Sequence, residues 1–462
     1  MKKTTIAEII DGMGLNKYIW GIVFLIGMGN MLSGVMNRIP SYTMPQISQD
    51  WGLTGVETGM ISSYGGFGLL FGSFLAGLIT DRVGRKKGMA LGILMYSAFT
   101  LLVGLSPNFT MLAIFRIATG FAIGFYTPIT VTMLSEFSPS KNRGLFVALS
   151  LATYVFGFIV IGFVSTLTMN IIGWRNLYIL GGIVGIAYIL IVYRFIPESP
   201  RWLLSKQRGQ EAVNWLKSME IKVKGKAGDY DADSIVMPAL PTKQKVGVKR
   251  ILTGKYLTLA LTIWTLNLMS VFTVYGMQQW MPSLLVRQGY SVIKSYGFAT
   301  MLDVAGIFGV LCTGILADKI GRKKNGVVAF GILALCELVV GFTTANPAII
   351  LTAIVVIGFT MNWAAGSIQP VYTESWPNEL RATGVGWTQA IGRVGSILAP
   401  ILVGYLVQIG LSFNAILACF AVPAIIAVII MASFRFDAKG KTLEQIEEEV
   451  AGSKKSATAL GK

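Results

Sequence analysis

Gly77-Leu78-Ile79-Thr80-Asp81-Arg82-Val83-Gly84-Arg85-Lys86-Lys87 returns 237 residues later as Gly314-Ile315-Leu316-Ala317-Asp318-Lys319-Ile320-Gly321-Arg322-Lys323-Lys324. A second pair repeats at almost the same distance. Glu136 and Arg143 flank Pro139, and 238 residues on Glu374 and Arg381 flank Pro377. Two independent motifs sharing one offset make the chain a duplication, two like units laid in the same direction. The Gly residues of the motif are expected to let helix ends turn sharply and approach closely. Asp81 and Asp318 are expected to accept bonds from a neighbouring helix N-terminus or from an Arg.

The segments between these motifs are apolar. Of 462 residues, 53% are hydrophobic and 13% charged, where a soluble chain carries about 25% charged. Mean hydropathy is +0.64. A spanning helix needs roughly 20 apolar residues. Twelve runs meet that length: 18–44, 55–80, 88–106, 109–134, 144–170, 176–196, 256–282, 296–317, 325–344, 347–370, 385–408 and 413–434. The expected fold is an all-α membrane protein, twelve transmembrane helices in two pseudo-symmetric six-helix halves. The halves are read as 1–200 and 256–436, with a polar linker at 201–255 and a tail at 437–462. The N-terminus is mixed polar and the first apolar run is too long for a cleaved signal.

The net charge of +17 is not a nucleic-acid signal, because its Lys and Arg lie between the apolar runs. Loops on one side carry Arg82, Arg85, Lys86, Lys87, Lys141, Arg143, Lys319, Arg322, Lys323, Lys324 and Arg381; the other side has Arg175, Arg287 and Lys294. The bias places both termini in the cytoplasm. The linker holds 12 Lys/Arg against 5 Asp/Glu, which fits attraction to anionic lipid. With no His and three Cys, all in apolar runs, a zinc site or disulfide framework is not expected. No Walker loop or acid–base set is present, so neither an enzyme nor an ATP-driven pump is expected, and no cofactor.

The loop motifs resemble those of the major facilitator superfamily across essentially the whole chain. Pro197-Glu198-Ser199-Pro200-Arg201-Trp202-Leu203 is similar to a signature of its sugar porters, organic ion transporters and aromatic acid/proton symporters. Glu374-Ser375-Trp376-Pro377, Leu380 to Gly384, Gly392-Arg393, Tyr275-Gly276 and Trp280-Met281-Pro282 look closest to bacterial aromatic-acid symporters and nicotinate transporters. The resemblance implies a central cavity, alternating access, frequent proton coupling and a bacterial inner-membrane location. The Asp common in the first span of those symporters is missing here; the stretch Met31 to Asn37 ends in Arg38.

Ionisable groups in hydrocarbon are functional candidates by default. Arg393 lies about 12 Å into its span at 1.5 Å per residue, too deep to snorkel. Its planar fork can grip a carboxylate or make a structural pair. Asp303 is a candidate for proton coupling or a permanent ion pair. Arg116 is implied near the coupling site by the resemblance; otherwise it ties its span to the first or second. Arg38 draws anions to the outer mouth or is interfacial. Glu337 is expected to be structural, and Arg194 to snorkel. Tyr126, Tyr154, Trp264, Asn267, Tyr275, Gln278, Gln279, Trp280, Asn362, Trp363, Gln369, Tyr372 and Trp387 complete a cavity list, though each aromatic fits packing equally. Asp81, Arg85, Glu136, Arg143, Glu198, Arg201, Asp318, Arg322, Glu374 and Arg381 are expected to form a cytoplasmic gate of breakable ion pairs, or merely to fix topology.

The expected function is proton-coupled uptake of a small organic anion, an aromatic or related carboxylate, by a monomer in the bilayer. An exporter of drugs or metabolites, a sugar or polyol porter, and a non-transporting sensor are the alternatives.

Overall fold

In the computed structural model the described residues are 4–232, 234–235, 250–342 and 347–433. Among them the chain is helical throughout, and the only strand-like contact is a bridge between Thr4 and Ile235. The long helices are α2 (Lys17–Trp51), α3 (Gly55–Val83), α4 (Arg85–Gly104), α5 (Phe109–Phe137), α6 (Arg143–Phe195), α9 (Lys255–Arg287), α10 (Val292–Ile320), α11 (Arg322–Phe342), α12 (Pro347–Glu374), α13 (Asn378–Gln408) and α14 (Phe413–Ser433). Short helices α1 (Ile6–Met13), α7 (Pro200–Ser205) and α8 (Gly209–Lys224) lie outside the apolar runs. The tail at 437–462 lies outside the described residues.

Local sequence sets the helix ends. Asn16 accepts from the N–H groups of Tyr18 and Ile19, Asn108 from Met111, and Thr5 with Glu8 closes a capping box on α1; each satisfies N–H groups the helix leaves over. Gly52 ends α2 in the left-handed region at φ 60. The 53-residue α6 would be about 80 Å long if straight, far beyond a bilayer, but Gly173 at φ 71 and ψ 170 breaks it. The apolar runs 144–170 and 176–196 are its two arms.

Ten helices among the described residues are long and apolar enough to cross a membrane, α6 counted once. Bulky side chains such as Leu167, Ile171 and Leu190 point outward, Ile171 with 81% of its surface bare. That pattern suits hydrocarbon, and soluble monomers rarely expose so much.

Helix contacts group into two compact units, Met1–Leu53 with Tyr64–Thr242 and Thr54–Ser63 with Lys243–Lys462. In the first, α2 packs along α6, and α4 packs on α5 and α6. In the second, α10 packs on α12, α13 on α9 and α11 on α14. The second unit also takes the first part of α3, up to Ser63. There Ser63 Oγ donates to the Ile397 carbonyl at 2.6 Å.

The repeated motif works differently from the expectation in one respect. Gly84 and Gly321 do make the sharp turns, at φ 106 and φ 90. A Cβ on Gly77 or Gly314 would meet nothing within 4 Å, so no close approach occurs there. Close approach occurs at Gly84, where a Cβ would stand 2.4 Å from a Glu198 carboxylate oxygen, and deeper in the helices. A Cβ on Gly68 would lie 1.9 Å from the Ile117 carbonyl, and one on Gly120 2.0 Å from the Gly65 carbonyl. These residues let the backbones of α3 and α5 touch.

The first part of the linker is folded. Val213, Leu216 and Met219 of α8 join Ile6, Ile9, Ile10 and Met13 of α1, with Tyr230 and Ile235, in a buried apolar cluster. Glu220 accepts from the Gly228 N–H at 2.8 Å and the Tyr230 hydroxyl at 3.0 Å. Burial and the Glu220 carboxylate push the Tyr230 phenol up, so it stays a donor across the physiological range.

Candidate functional site

Each unit gathers its own polar cluster. In the first unit, Arg116 on α5 is 2% exposed. Its guanidinium lies over Gly65, where a Cβ would stand 2.5 Å away, so the missing side chain makes its berth. Tyr154 and Tyr178 of α6 lie within electrostatic range of Arg116. The Tyr178 hydroxyl is 3.1 Å from that of Thr43 on α2. Earlier on α2, Arg38 is 1% exposed. Its guanidinium sits 5.7 Å from the Tyr42 ring and 5.8 Å from the Phe158 ring. Tyr154 meets Phe158 edge-on at 5.1 Å. Arg38, Tyr154 and Arg116 thus belong to one run of cations and aromatic faces. Sequence reasoning missed Tyr42, Thr43, Phe158 and Tyr178; the signal for the first two was their place little more than one turn beyond Arg38.

Tyr126 does not join them. It is fully buried in the apolar cluster, edge-on to Tyr96 at 5.4 Å. Its hydroxyl would meet a Cβ on Gly29 at 2.2 Å.

In the second unit, Arg393 Nη1 donates to the Tyr275 hydroxyl at 3.0 Å, joining α13 to α9. One turn before Arg393, Gln389 donates to the Tyr372 hydroxyl of α12 at 2.7 Å. Gln389 was missed, although its four-residue spacing from Arg393 placed both on one face. Trp264 and Trp387 stack loosely at 6.2 Å. Arg393, Tyr275, Tyr372, Gln389 and this Trp pair combine donors with aromatic walls.

The other candidates of the second unit make contacts of their own. Asn267 donates to the Thr388 carbonyl at 2.8 Å. Asn362 donates to Gly358 at 3.0 Å and abuts Gly306 of α10. Trp363 donates to Asn325 at 3.0 Å, and Trp280 to the Pro400 carbonyl at 2.9 Å. Gln278 and Gln279 are buried on α9, and Gln369 is exposed on α12. Asp303, 1% exposed, lies on α10 one turn before Gly306.

Glu337 on α11 is fully buried, and neither carboxylate oxygen finds a hydrogen-bond partner among the described residues. An unsatisfied buried polar group costs about 1–3 kcal/mol. Glu337→Leu is therefore expected to raise the unfolding temperature by a few degrees and leave transport intact. Differential scanning fluorimetry checks it; a lower melting point would mean that the carboxyl supports the fold.

The loop charges form two unequal clusters. In the first unit Arg85 pairs with Asp81 at 2.6 Å. Glu198 Oε1 accepts the N–H groups of Arg85, Lys86 and Ser199, each at 2.9 Å. It caps α4, whose N-cap Gly84 has no side chain to do so. Ser199 hydrogen-bonds Glu136, and Trp202 Nε1 donates to the Asp81 carbonyl at 3.2 Å. Arg201 acts on Glu136 only through space. No ion pair between Glu136 and Arg143 occurs among the described residues, and Arg143 Nε has no partner there. In the second unit Arg322 pairs with Glu374 at 3.4 Å. Arg381 Nε has no partner among the described residues. The Asp318 side chain lies outside the described residues. Glu198→Ala is expected to cost about 1–2 kcal/mol through the lost cap, read as a lower melting temperature. Glu198→Gln should recover part of it by keeping an acceptor.

The family model described as Major Facilitator Superfamily matches residues 23–400 and 304–460. The niacin transporter NiaP of Acinetobacter baylyi is 30% identical over 438 residues, 95% of this chain and 98% of that one. The 4-hydroxybenzoate transporter PcaK of the same organism is 28% identical, over 91% of this chain and 92% of its own. A gallate transporter of Pseudomonas putida is 25% identical, over 92% and 93%. The solved inward-open xylose transporter XylE of E. coli shares the fold at a TM-score of 0.71, with 18% identity over 93% of this chain and 99% of that one. The chain belongs to the Major Facilitator Superfamily, a family of multi-pass membrane transporters rather than enzymes.

Proposed function

We propose that this protein imports a small aromatic carboxylate, of the benzoate or nicotinate kind, together with a proton. The observation that carries the reading is the Arg393–Tyr275 pair, a guanidinium oriented by a phenol at 3.0 Å inside a span. A fork held in place presents parallel donors to a carboxylate at little entropic cost. Tyr372 and the Trp264–Trp387 pair supply faces for a ring. The relatives named for niacin, 4-hydroxybenzoate and gallate carry acids of that shape.

In this reading the chain crosses the inner membrane of a bacterium twelve times, the two arms of α6 counted apart and α11 included. Both termini face the cytoplasm, in line with the loop charges. The halves are 1–200 and 256–436, the linker 201–255 joins them, and the monomer is the working unit. Asp303 takes the proton, and Arg116 serves the coupling step. Tyr154, Arg38, Trp264, Asn267, Gln278, Asn362, Trp363 and Gln369 complete the route. The pairs Asp81–Arg85 and Arg322–Glu374, with Glu136, Arg143, Glu198, Arg201, Asp318 and Arg381, hold the cytoplasmic end shut and part when it opens.

The test is uptake of labelled benzoate and nicotinate into proteoliposomes, with the outside more acidic than the lumen. The expected result is accumulation that a protonophore abolishes. Uptake indifferent to the gradient would remove the proton; no uptake of either acid would remove the substrate class.

A further inference from the structure

Tyr18 is the second residue of α2. Two ammonium groups from distant parts of the chain converge on its ring. Lys17 Nζ lies 5.3 Å from the ring centroid and Lys222 Nζ 5.4 Å. Lys222 comes from the last turn of α8. Its position is not accidental, because α8 is anchored. Its apolar face is buried against α1 and Ile235. Thr4 N–H donates to the Ser234 carbonyl at 3.0 Å, and Asp11 accepts from the Ser140 N–H at 2.5 Å.

Three other cations of this region have partners. Lys224 pairs with Glu220 at 3.3 Å, Arg208 with Glu211 at 2.6 Å, and Lys217 lies 5.5 Å from the Tyr230 ring. Neither Lys17 nor Lys222 enters an ion pair among the described residues. Two like charges beside one ring repel, and an anion between them offsets that.

The surroundings identify the anion. Leu15 and Trp20 flank Tyr18 and are 45% and 42% exposed, at the point where the apolar run of α2 begins. Trp and Tyr collect at the headgroup level of a bilayer. The two ammonium groups therefore stand where lipid phosphates stand, with apolar side chains beside them for the acyl chains.

We propose that Lys17, Lys222 and Tyr18 form a binding site for the phosphate of an anionic phospholipid, seated where α2 enters the membrane. The lipid would bridge the folded linker to the first span, and so stiffen the joint between them. A zwitterionic phosphatidylcholine, whose own ammonium offsets its phosphate, would bind there more weakly.

The experiment compares thermal unfolding of the full chain in nanodiscs of pure phosphatidylcholine and in nanodiscs containing a minority of phosphatidylglycerol. Wild type should melt higher with phosphatidylglycerol. Lys17→Gln with Lys222→Gln should lose that gain, and its affinity for the lipid should fall about 25-fold, at about fivefold per lysine. Lys17→Arg with Lys222→Arg should keep it. Lys206→Gln with Lys226→Gln, which removes the same charge elsewhere in the linker, should also keep it. The proposal fails if the Lys17/Lys222 Gln pair retains the full gain, or if the Lys206/Lys226 pair loses as much. It fails too if glycerol 3-phosphate added to pure phosphatidylcholine discs reproduces the gain, since the ligand would then be a soluble anion. Should the double Gln variant unfold at the outset, the single variants are read instead, each expected to lose about fivefold.

Discussion

Arg393→Ala is expected to reduce aromatic-carboxylate uptake by about 30- to 5000-fold while the protein still folds. Truncating one partner of a buried, hydrogen-bonded charge pair costs about 2–5 kcal/mol, which is that range in binding. Folding should survive because Arg393 is only partly buried and Tyr275, which accepts from its Nη1, is a neutral hydroxyl. Tyr275→Phe separates orientation from charge. It removes the phenol that accepts from Nη1 at 3.0 Å but leaves the cation, so the expected loss is about 10- to 150-fold, the size of one hydrogen bond to a charged group. Gln389→Leu should act in the same direction, through Tyr372. Initial rates and Kd values for benzoate, with circular dichroism to confirm helicity, check the series. An Arg393→Ala protein that transports normally would make the guanidinium a structural group.

Gly68→Ala is expected to be among the most destabilising additions of a single methyl at the described glycines. Its Cβ would fall 1.9 Å from the Ile117 carbonyl oxygen and 2.6 Å from the Phe121 nitrogen. Both obstacles are backbone, so no rotamer change relieves them, and α3 must move off α5. Overpacking costs about 1–3 kcal/mol when side chains can adjust, and more when they cannot. Gly77→Ala is the matched control. It lies in the same helix, about two and a half turns on, with open space around it. There the substitution should be neutral or mildly stabilising, because Ala propagates a helix better than Gly. Yield and melting temperature of the two variants give the comparison. Equal stability would mean that the two helices are not in backbone contact.

The contrast between these two glycines also shows what a sequence can convey. The repeated Asp-x-x-Gly-Arg-Lys-Lys motif marked the duplication and the turns at Gly84 and Gly321, because a positive φ before a run of basic residues is a local property. The long apolar runs likewise located α2 to α6 and α9 to α14, with α2 running on to Trp51 past the run's end at 44 and α13 starting at Asn378, before the run's start at 385. Gly77 and Gly68 look alike in sequence, however, and only the neighbouring helix tells them apart. The same holds for Tyr126 and Tyr275. Both are tyrosines in apolar runs, yet one is packed against Gly29 and the other holds Arg393. Glu198 stood in a recognisable motif, but its work, capping a helix that begins 113 positions earlier, is a long-range fact. The α1–α8 pairing was hidden for a different reason. Each partner is short and half polar, and its apolar stripe means little until the other lies against it.

If Arg393 is the group that recognises the substrate, it holds the carboxylate more than the ring. Calorimetric titration of the purified protein with benzoate and with its uncharged isostere benzamide decides the matter. Benzoate should bind at least about tenfold more tightly, as expected for a charge-assisted contact, and Arg393→Gln should erase the difference. Equal binding of the two ligands by the unmodified protein would overturn this assignment.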